Sequence, residues 1–243
     1  APFWTRFVAK SGAEDSVDSD GFCLCCGGVM DRWGDHATVC VCGGDRIIRH
    51  NAVRDVCFDE AVGGSLRPER EKAGLLPMRP ETDDLPVSGP VSRGRRPADV
   101  WLPRGSRGRA EALDFAVTSA MRGDMLRRSV STPEAVFSAY ENTKRQHLDT
   151  MRQCEAAGFH FVPMVFEAHG GAWSPTARGI LDWIAGQVAA VQHEPAHTVS
   201  FRIAQRTSCT LHRDNARAIL RRTDGAAPAS QHGSWDAVGH VWQ

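Results

Sequence analysis

The sequence predicts an α/β domain preceded by a small metal-binding module. Three observations carry this. Between Asp45 and Val191, segments follow the order helix, three strands, helix, strand, and then a further helix. Two aspartates, Asp99 and Asp114, fall in neighbouring strand-like segments that are otherwise apolar. Near the start, "CLCCGGVMDRWGDHATVC" places four cysteines and a histidine within the eighteen positions from Cys23 to Cys40.

The elements follow in order. "DRIIRHNAVRDVCFDEAV" (Asp45 to Val62) repeats apolar residues at helical spacing, and Gly63-Gly64 ends it. "SLRPEREKAGLL" reads as a short strand running into a turn, and Met78 to Arg96, rich in Pro, Gly, Asp and Ser, as a loop. "PADVWLP" and "AEALDFAVT" read as two strands joined by the turn "RGSRGR". "TPEAVFSAYENTKRQHLDTMRQCEAAG" reads as one long helix, capped by Thr132, with Pro133 in its first turn and stopped by Gly158. "FHFVPMVFEA" is a buried strand, Ser174 to Val191 a helix opened by Ser-Pro, and Arg213 to Arg222 a last helix. The expected division is a knuckle segment over 1–44, the α/β domain over 45–192 and a partly helical, basic extension over 193–243.

Composition excludes some classes. With 243 residues, 42% apolar and 24% charged, the chain can bury one sizeable core plus an appendage. Basic and acidic residues balance at 29 each, so net charge selects no partner. Their distribution is uneven. Arg93, Arg95, Arg96, Arg104, Arg107 and Arg109 crowd one stretch, and a second runs from Arg202 to Arg222. Such clusters can track a phosphate backbone, although a solvated loop or helix face has the same composition. No apolar run approaches the ~18 residues of a membrane span, so no membrane partner is expected. "APFWTRFVAK" has no secretory apolar region, so the cysteines are expected in a reducing, intracellular compartment.

In that setting clustered Cys and His indicate a metal before a disulfide. Cys23-x2-Cys26 forms a tight turn whose thiolates converge, and His36 and Cys40 share one side of a helical turn. Cys23, Cys26, His36 and Cys40 suit tetrahedral Zn2+ in a structural role, with Cys25 and Cys42 as spare thiols. Cys57, Cys154 and Cys209 are scattered and read as buried packing residues.

The carboxylates carry the other chemistry. Strand alternation puts Asp114 on one face with Ala110, Ala112, Ala116 and Thr118. An aspartate among apolar residues is costly to bury unless paired or coordinated. Two on adjacent strands can share a hard cation, and Mg2+ binds through one or two carboxylates plus substrate phosphate.

Together "CLCC…GDHATVC…GGDRIIRHNAVRD…PEREKAGLLP…RRPADVWLP…EALDFAVTS…YENTKRQHLDT…FVPMVFEAHGG" resembles the zinc-knuckle plus restriction-like endonuclease region, of the PD-(D/E)XK type, that closes the reading frame of certain non-LTR retrotransposons. The resemblance runs from about Cys23 to Ala190. It implies a restriction-endonuclease-like fold and a Mg2+- or Mn2+-dependent endonuclease that nicks DNA, exposing a 3′ end to prime reverse transcription. It further implies DNA as partner, retroelement RNA or a reverse-transcriptase domain encoded upstream as others, and a nuclear location. No Tyr-x-Asp-Asp palm signature occurs, so the expected role is the nicking module without the polymerase.

On this resemblance Asp99 and Asp114 hold the catalytic metal and Glu71 is a further carboxylate. DNA contacts are expected from Arg95, Arg96 and Arg107 and from the Arg49-His50-Asn51 helix. Two positions depart from the family pattern. Ala98 separates Pro97 from Asp99, and the lysine expected two residues after the second carboxylate is Ala116. Lys144 is the natural substitute, since the chain holds few lysines and this one lies on the helix that follows. A pairing of Lys144 with Glu141 is the plain alternative. Glu167 and His169 in "FEAHGG" form either a site or a satisfied strand-end pair. Two rivals remain for the chain as a whole: a catalytically inactive zinc and nucleic-acid-binding module, which Ala116 favours, and an HNH-type nuclease built on "RHN". The second leaves the strand carboxylates without a purpose.

Overall fold

A computed structural model describes residues 21–30, 34–77, 97–121, 125–132, 134–169 and 171–223. The predicted loop from Met78 to Arg96, with Arg93, Arg95 and Arg96, lies outside them, as do Trp33 and Pro133. The chain forms two compact units, one from residues 1–45 with 215–243 and the other from 46–214. This division departs from the three sequence segments: residues 196–214 group with the α/β unit and 215–223 with the knuckle.

In the first unit, β1 (Gly21–Phe22) pairs antiparallel with β2 (Val29–Met30), and α1 (Asp35–Val39) follows. Cys23, Met30, Ala37 and Cys40 are buried together, and Ile219 from the C-terminal segment packs against them. Among the described residues few apolar side chains are buried here, the situation in which small modules draw stability from a bound metal.

The second unit is a mixed α/β domain. Its four-stranded sheet has the order β3 (Glu69–Arg70), β4 (Val100–Leu102), β5 (Glu111–Thr118), β6 (His160–Glu167). The β3–β4 and β4–β5 pairs are antiparallel and β5–β6 is parallel. A parallel pair needs a long crossover. It is made by α3 (Leu126–Ser131), α4 (Ala135–Gln146), a 3-10 turn (His147–Asp149) and α5 (Thr150–Ala156). Pro163 sits within β6, which tolerates the missing N–H because β6 is an edge strand.

Strand alternation sorts the two faces. Val100, Leu102, Leu113, Phe115, Val162, Met164 and Phe166 pack with three helices in the main core. These are α2 (Asp45–Gly63), α6 (Pro175–Gln192) and α7 (Ala196–Thr223). Val53, Cys57 and Ala61 give α2 its apolar stripe, and Ile180, Leu181, Ile184 and Val188 give α6 its own. Truncating fully buried Ile184 to Ala would cost about 2–5 kcal/mol. Gly64 follows α2 because a Cβ there would lie 3.1 Å from the Gln187 Cβ and 3.3 Å from the Val188 amide of α6. Ser174 caps α6, its hydroxyl accepting from the Ala177 amide at 3.1 Å. On the other face, Trp101, Ala112, Cys154, Phe159 and Phe161 cluster beneath α5, and Val165 packs with Val136 and Phe137 of α4.

Four expectations are corrected. The helix predicted from Thr132 to Gly158 is broken: Leu148 (φ 51°) and Asp149 (φ 58°) are left-handed and separate α4 from α5. The break lets Cys154 reach the Trp101 cluster while Val136 and Phe137 serve a different one. No side chain caps α4; the Thr132 carbonyl, not its hydroxyl, accepts from the Ala135 amide. The last helix starts at Ala196, far earlier than Arg213, and Cys209 upon it is exposed. Among the described residues no helix is long and apolar enough to cross a membrane.

Candidate metal centre and candidate active site

Cys23, Cys26, His36 and Cys40 come together as expected, with all four ligand atoms within 4.8 Å of one another. The turn that starts the site is closed by Gly27 N donating to Cys23 O at 2.8 Å and Cys23 N to Gly28 O at 2.7 Å. Helix α1 then presents His36, and the Cys40 amide closes its last turn on the His36 carbonyl. Gly28 is required: a Cβ there would stand 2.7 Å from the His36 ring. Sulfur–sulfur separations are 4.0 Å for Cys23–Cys40 and 3.7 Å for Cys26–Cys40, and His36 Nε2 lies 3.2 Å from Cys26 Sγ. A tetrahedron with Zn–S bonds of about 2.3 Å has edges near ~3.8 Å, so the donors fit zinc.

Electrostatics argue likewise. Burial opposes ionisation of Cys23, yet hydrogen bonds from the Cys25 amide, His36 and the Cys26 amide outweigh it and lower its thiol to about 6. The Gly28 amide favours a Cys26 thiolate, but local desolvation and the Cys23 and Cys40 sulfurs push that thiol up to about 11. Three sulfurs this close cannot all ionise without a cation among them. None of the eight cysteines forms a disulfide, and the spares Cys25 and Cys42 pack against the cluster.

The carboxylates meet in the second unit. Asp99 N donates to Leu113 O at 2.9 Å, which sets Asp99 beside Asp114 on the next strand. Asp99 Oδ2 accepts from the Phe115 amide at 2.7 Å and from His50 Nε2 at 3.1 Å. His50 Nε2 also lies 3.1 Å from the Phe115 carbonyl. Both neighbours accept only, so Nε2 carries the proton. Its Nδ1 faces Asn51 Oδ1 at 3.2 Å.

Lys144 reaches the site from α4. Its Nζ stands 3.1 Å from Asp114 Oδ1 and 2.9 Å from Oδ2. The plain alternative, Lys144 with Glu141, is not what forms. Buried Glu141 instead accepts from Arg145 at 2.8 Å and from the Thr176 hydroxyl at 3.1 Å, fastening α4 to the start of α6. That lock fixes the helix that carries Lys144.

These neighbours perturb one another. Burial pushes Asp99 upward, but the His50 hydrogen bond and charge, the Phe115 amide and Lys144 together hold it below its ordinary value. Burial raises Asp114, with Asp99 adding to the rise, and Lys144 only partly offsets it. Burial works against a charged Lys144, and the Asp114 carboxylate more than compensates, so its pKa is raised. The bond to Asp99 raises His50 in spite of its burial. Carboxylates set apart in this way, in a partly open site, are typical of working acids, bases and metal ligands, and of structural ion pairs too.

The remaining predicted residues are placed as follows. Glu71 N donates to Asp99 O at 3.0 Å, so its backbone adjoins the site, while its carboxylate accepts from Arg54 at 3.2 Å. Arg49 is buried. Arg104, Arg107 and Arg109 are exposed on the β4–β5 turn, at the end of β4 away from Asp99 and roughly 10 Å of strand from it. Glu167 accepts from the Ala120 and His169 amides at 3.2 and 2.8 Å, which makes the "FEAHGG" turn a satisfied strand-end lock. The sequence reading missed Arg54, one helical turn beyond His50, and the backbone of Phe115. The i, i+4 spacing could have revealed the first; no side-chain pattern reveals the second. No family model matches this sequence, and no curated protein matches it.

Proposed function

We propose that the chain is a divalent-metal-dependent DNA endonuclease of the restriction-like type, carrying a structural zinc knuckle. One observation supports this above the rest: Lys144 on α4 supplies, beside Asp114, the cation that Ala116 removes from the strand. The donor chemistry fits Mg2+ or Mn2+, because two hard carboxylates on adjacent strands leave the remaining coordination positions to water and phosphate. Asp99 and Asp114 would hold the ion. When bound, it supplies an activated water and neutralises charge at the scissile phosphate.

The chain's own groups do the rest. His50 and the Phe115 amide fix one oxygen of Asp99, so its carboxylate is aimed before substrate arrives. Lys144 holds Asp114 and sets a positive charge beside the position where charge develops on the phosphate oxygens. Arg104, Arg107 and Arg109 offer an exposed cationic turn to the DNA backbone away from the cut. The retrotransposon role, with nicking as the source of a priming 3′ end, rests on the sequence resemblance.

A second reading keeps the binding surfaces and drops the chemistry. It is favoured by the closed ion pair itself, in which Lys144 engages both oxygens of Asp114. Nicking of supercoiled plasmid separates the two. The endonuclease converts it to open circle with Mg2+ or Mn2+ and scarcely at all with Ca2+. The binding module retains it under all three.

A further inference from the structure

The zinc ligands do not complete their own surroundings; a residue far along the sequence does. Arg222, in the last turn of α7, has a fully buried side chain. Its Nη1 donates to Asp45 Oδ2 and its Nη2 to the Cys42 carbonyl, both at 2.8 Å. Arg221 beside it donates to the Gly43 carbonyl at 3.1 Å and to Asp45 Oδ1 at 2.9 Å. The Cys42 carbonyl that Nη2 engages lies 3.9 Å from Cys40 Sγ, so the guanidinium sits beside the ligand sulfur, and its charge acts on Cys25 and Cys40. Its Nε–H is buried with no acceptor of its own among the described residues, and the guanidinium is hydrogen-bonded to the Cys40 side chain.

A buried guanidinium costs several kcal/mol unless its charge is matched. Among the described residues one carboxylate, Asp45, is shared between Arg221 and Arg222, which leaves one positive charge unmatched there. On the other side, Zn2+ with three thiolates and one neutral imidazole carries a net charge of −1. The two imbalances are of opposite sign and lie side by side.

We propose that Arg222 is an outer-sphere residue of the zinc centre, balancing the charge of the three-thiolate site and supplying a donor to Cys40. Outer-sphere partners of this kind orient ligands and typically change metal affinity 10–100-fold on mutation. The proposal rests on the candidate zinc site and adds that the C-terminal end of α7 is part of it.

The test uses the full chain with Arg222→Met, Arg222→Lys and, as control, Asp45→Asn. Zinc affinity is read by competition with a chromophoric chelator, and the site by Co2+ absorption. Arg222→Met should bind zinc about 10–100-fold more weakly. Its sulfur-to-cobalt band should move to longer wavelength, because an unbonded thiolate holds its lone pairs higher in energy. Arg222→Lys keeps the charge without the fork, and should lose less affinity but show the same direction of shift. Asp45→Asn removes the ion pair but keeps the guanidinium by the sulfurs, so the cobalt band should stay in place. If Arg222→Met does not fold, the Arg222→Lys band position carries the test. Unchanged affinity and band in either Arg222 variant overturns the proposal, as does an Asp45→Asn shift as large as theirs. A wild type that takes up neither zinc nor cobalt overturns the zinc site itself, and that outcome is distinct from the others.

Discussion

Replacing Lys144 by Ala separates a catalytic lysine from a counter-ion. Nζ lies 2.9 and 3.1 Å from the two oxygens of Asp114, and the two side chains are 29% and 18% exposed. Exposed pairs contribute at most about 1 kcal/mol, and stripping one partner from a fully buried pair costs about 3–5 kcal/mol. This half-open pair falls between, near ~2 kcal/mol, or a drop in Tm of roughly 4–8 °C for a chain of this size. Lys144→Gln retains a donor and should lose less stability. Catalysis answers to a different quantity. Losing one positioned electrostatic stabiliser lowers the rate about 100-fold or more, equivalent to about 2.7 kcal/mol of barrier. Nicking is measured well below both melting temperatures, with DNA affinity measured alongside. The expected result is a rate loss of that size in both variants at unchanged affinity. A variant that loses stability yet nicks at the wild-type rate would show that Lys144 is a counter-ion only, and the catalytic argument would fall.

Other outcomes follow from the same geometry. Freshly prepared reduced protein should contain one zinc per chain, and Cys26→Ser or His36→Ala should lose the metal and unfold the knuckle, as read by metal analysis and proteolysis. Replacing Arg104, Arg107 and Arg109 together should weaken binding across all DNA sequences and lower the slope of log affinity against log salt by about 0.9 per lost phosphate contact. His50, with its raised pKa, stabilises the fold fully below its unfolded value of about 6.5 and loses that contribution as pH rises through the folded value. The stability margin of wild type over His50→Gln, measured by denaturant titration without added divalent metal, should therefore be largest at about pH 5.5 and shrink above pH 7.

Much of the site could be read from side-chain chemistry. The knuckle is legible because ligand spacing and turn glycines are local. Asp99 and Asp114 stand out because a carboxylate in an apolar strand has few structural uses, and Lys144 because lysines are scarce here. What stayed hidden depends on tertiary context. The break at Leu148 and Asp149 carries no Gly or Pro, and it exists so that two halves of one amphipathic stretch can serve separate clusters. The first half of α7 was missed because its buried stripe, Val199, Ile203, Thr207 and Leu211, passes through a threonine that dilutes the apolar period. Arg54 and the Phe115 backbone act through partners distant in sequence. Arg222 reads as one more arginine in a basic run until Asp45 and Cys42 are seen against it.

The central claim is that Asp99 and Asp114 hold the metal that cuts DNA. Its most direct measurement compares wild type, Asp114→Ala and Asp99→Ala on supercoiled plasmid with Mg2+ or Mn2+, each prepared identically and matched for DNA affinity. The account predicts that wild type produces open circles while both variants bind normally and leave the plasmid intact. Equal nicking by all three, or none by wild type under either metal, would contradict it.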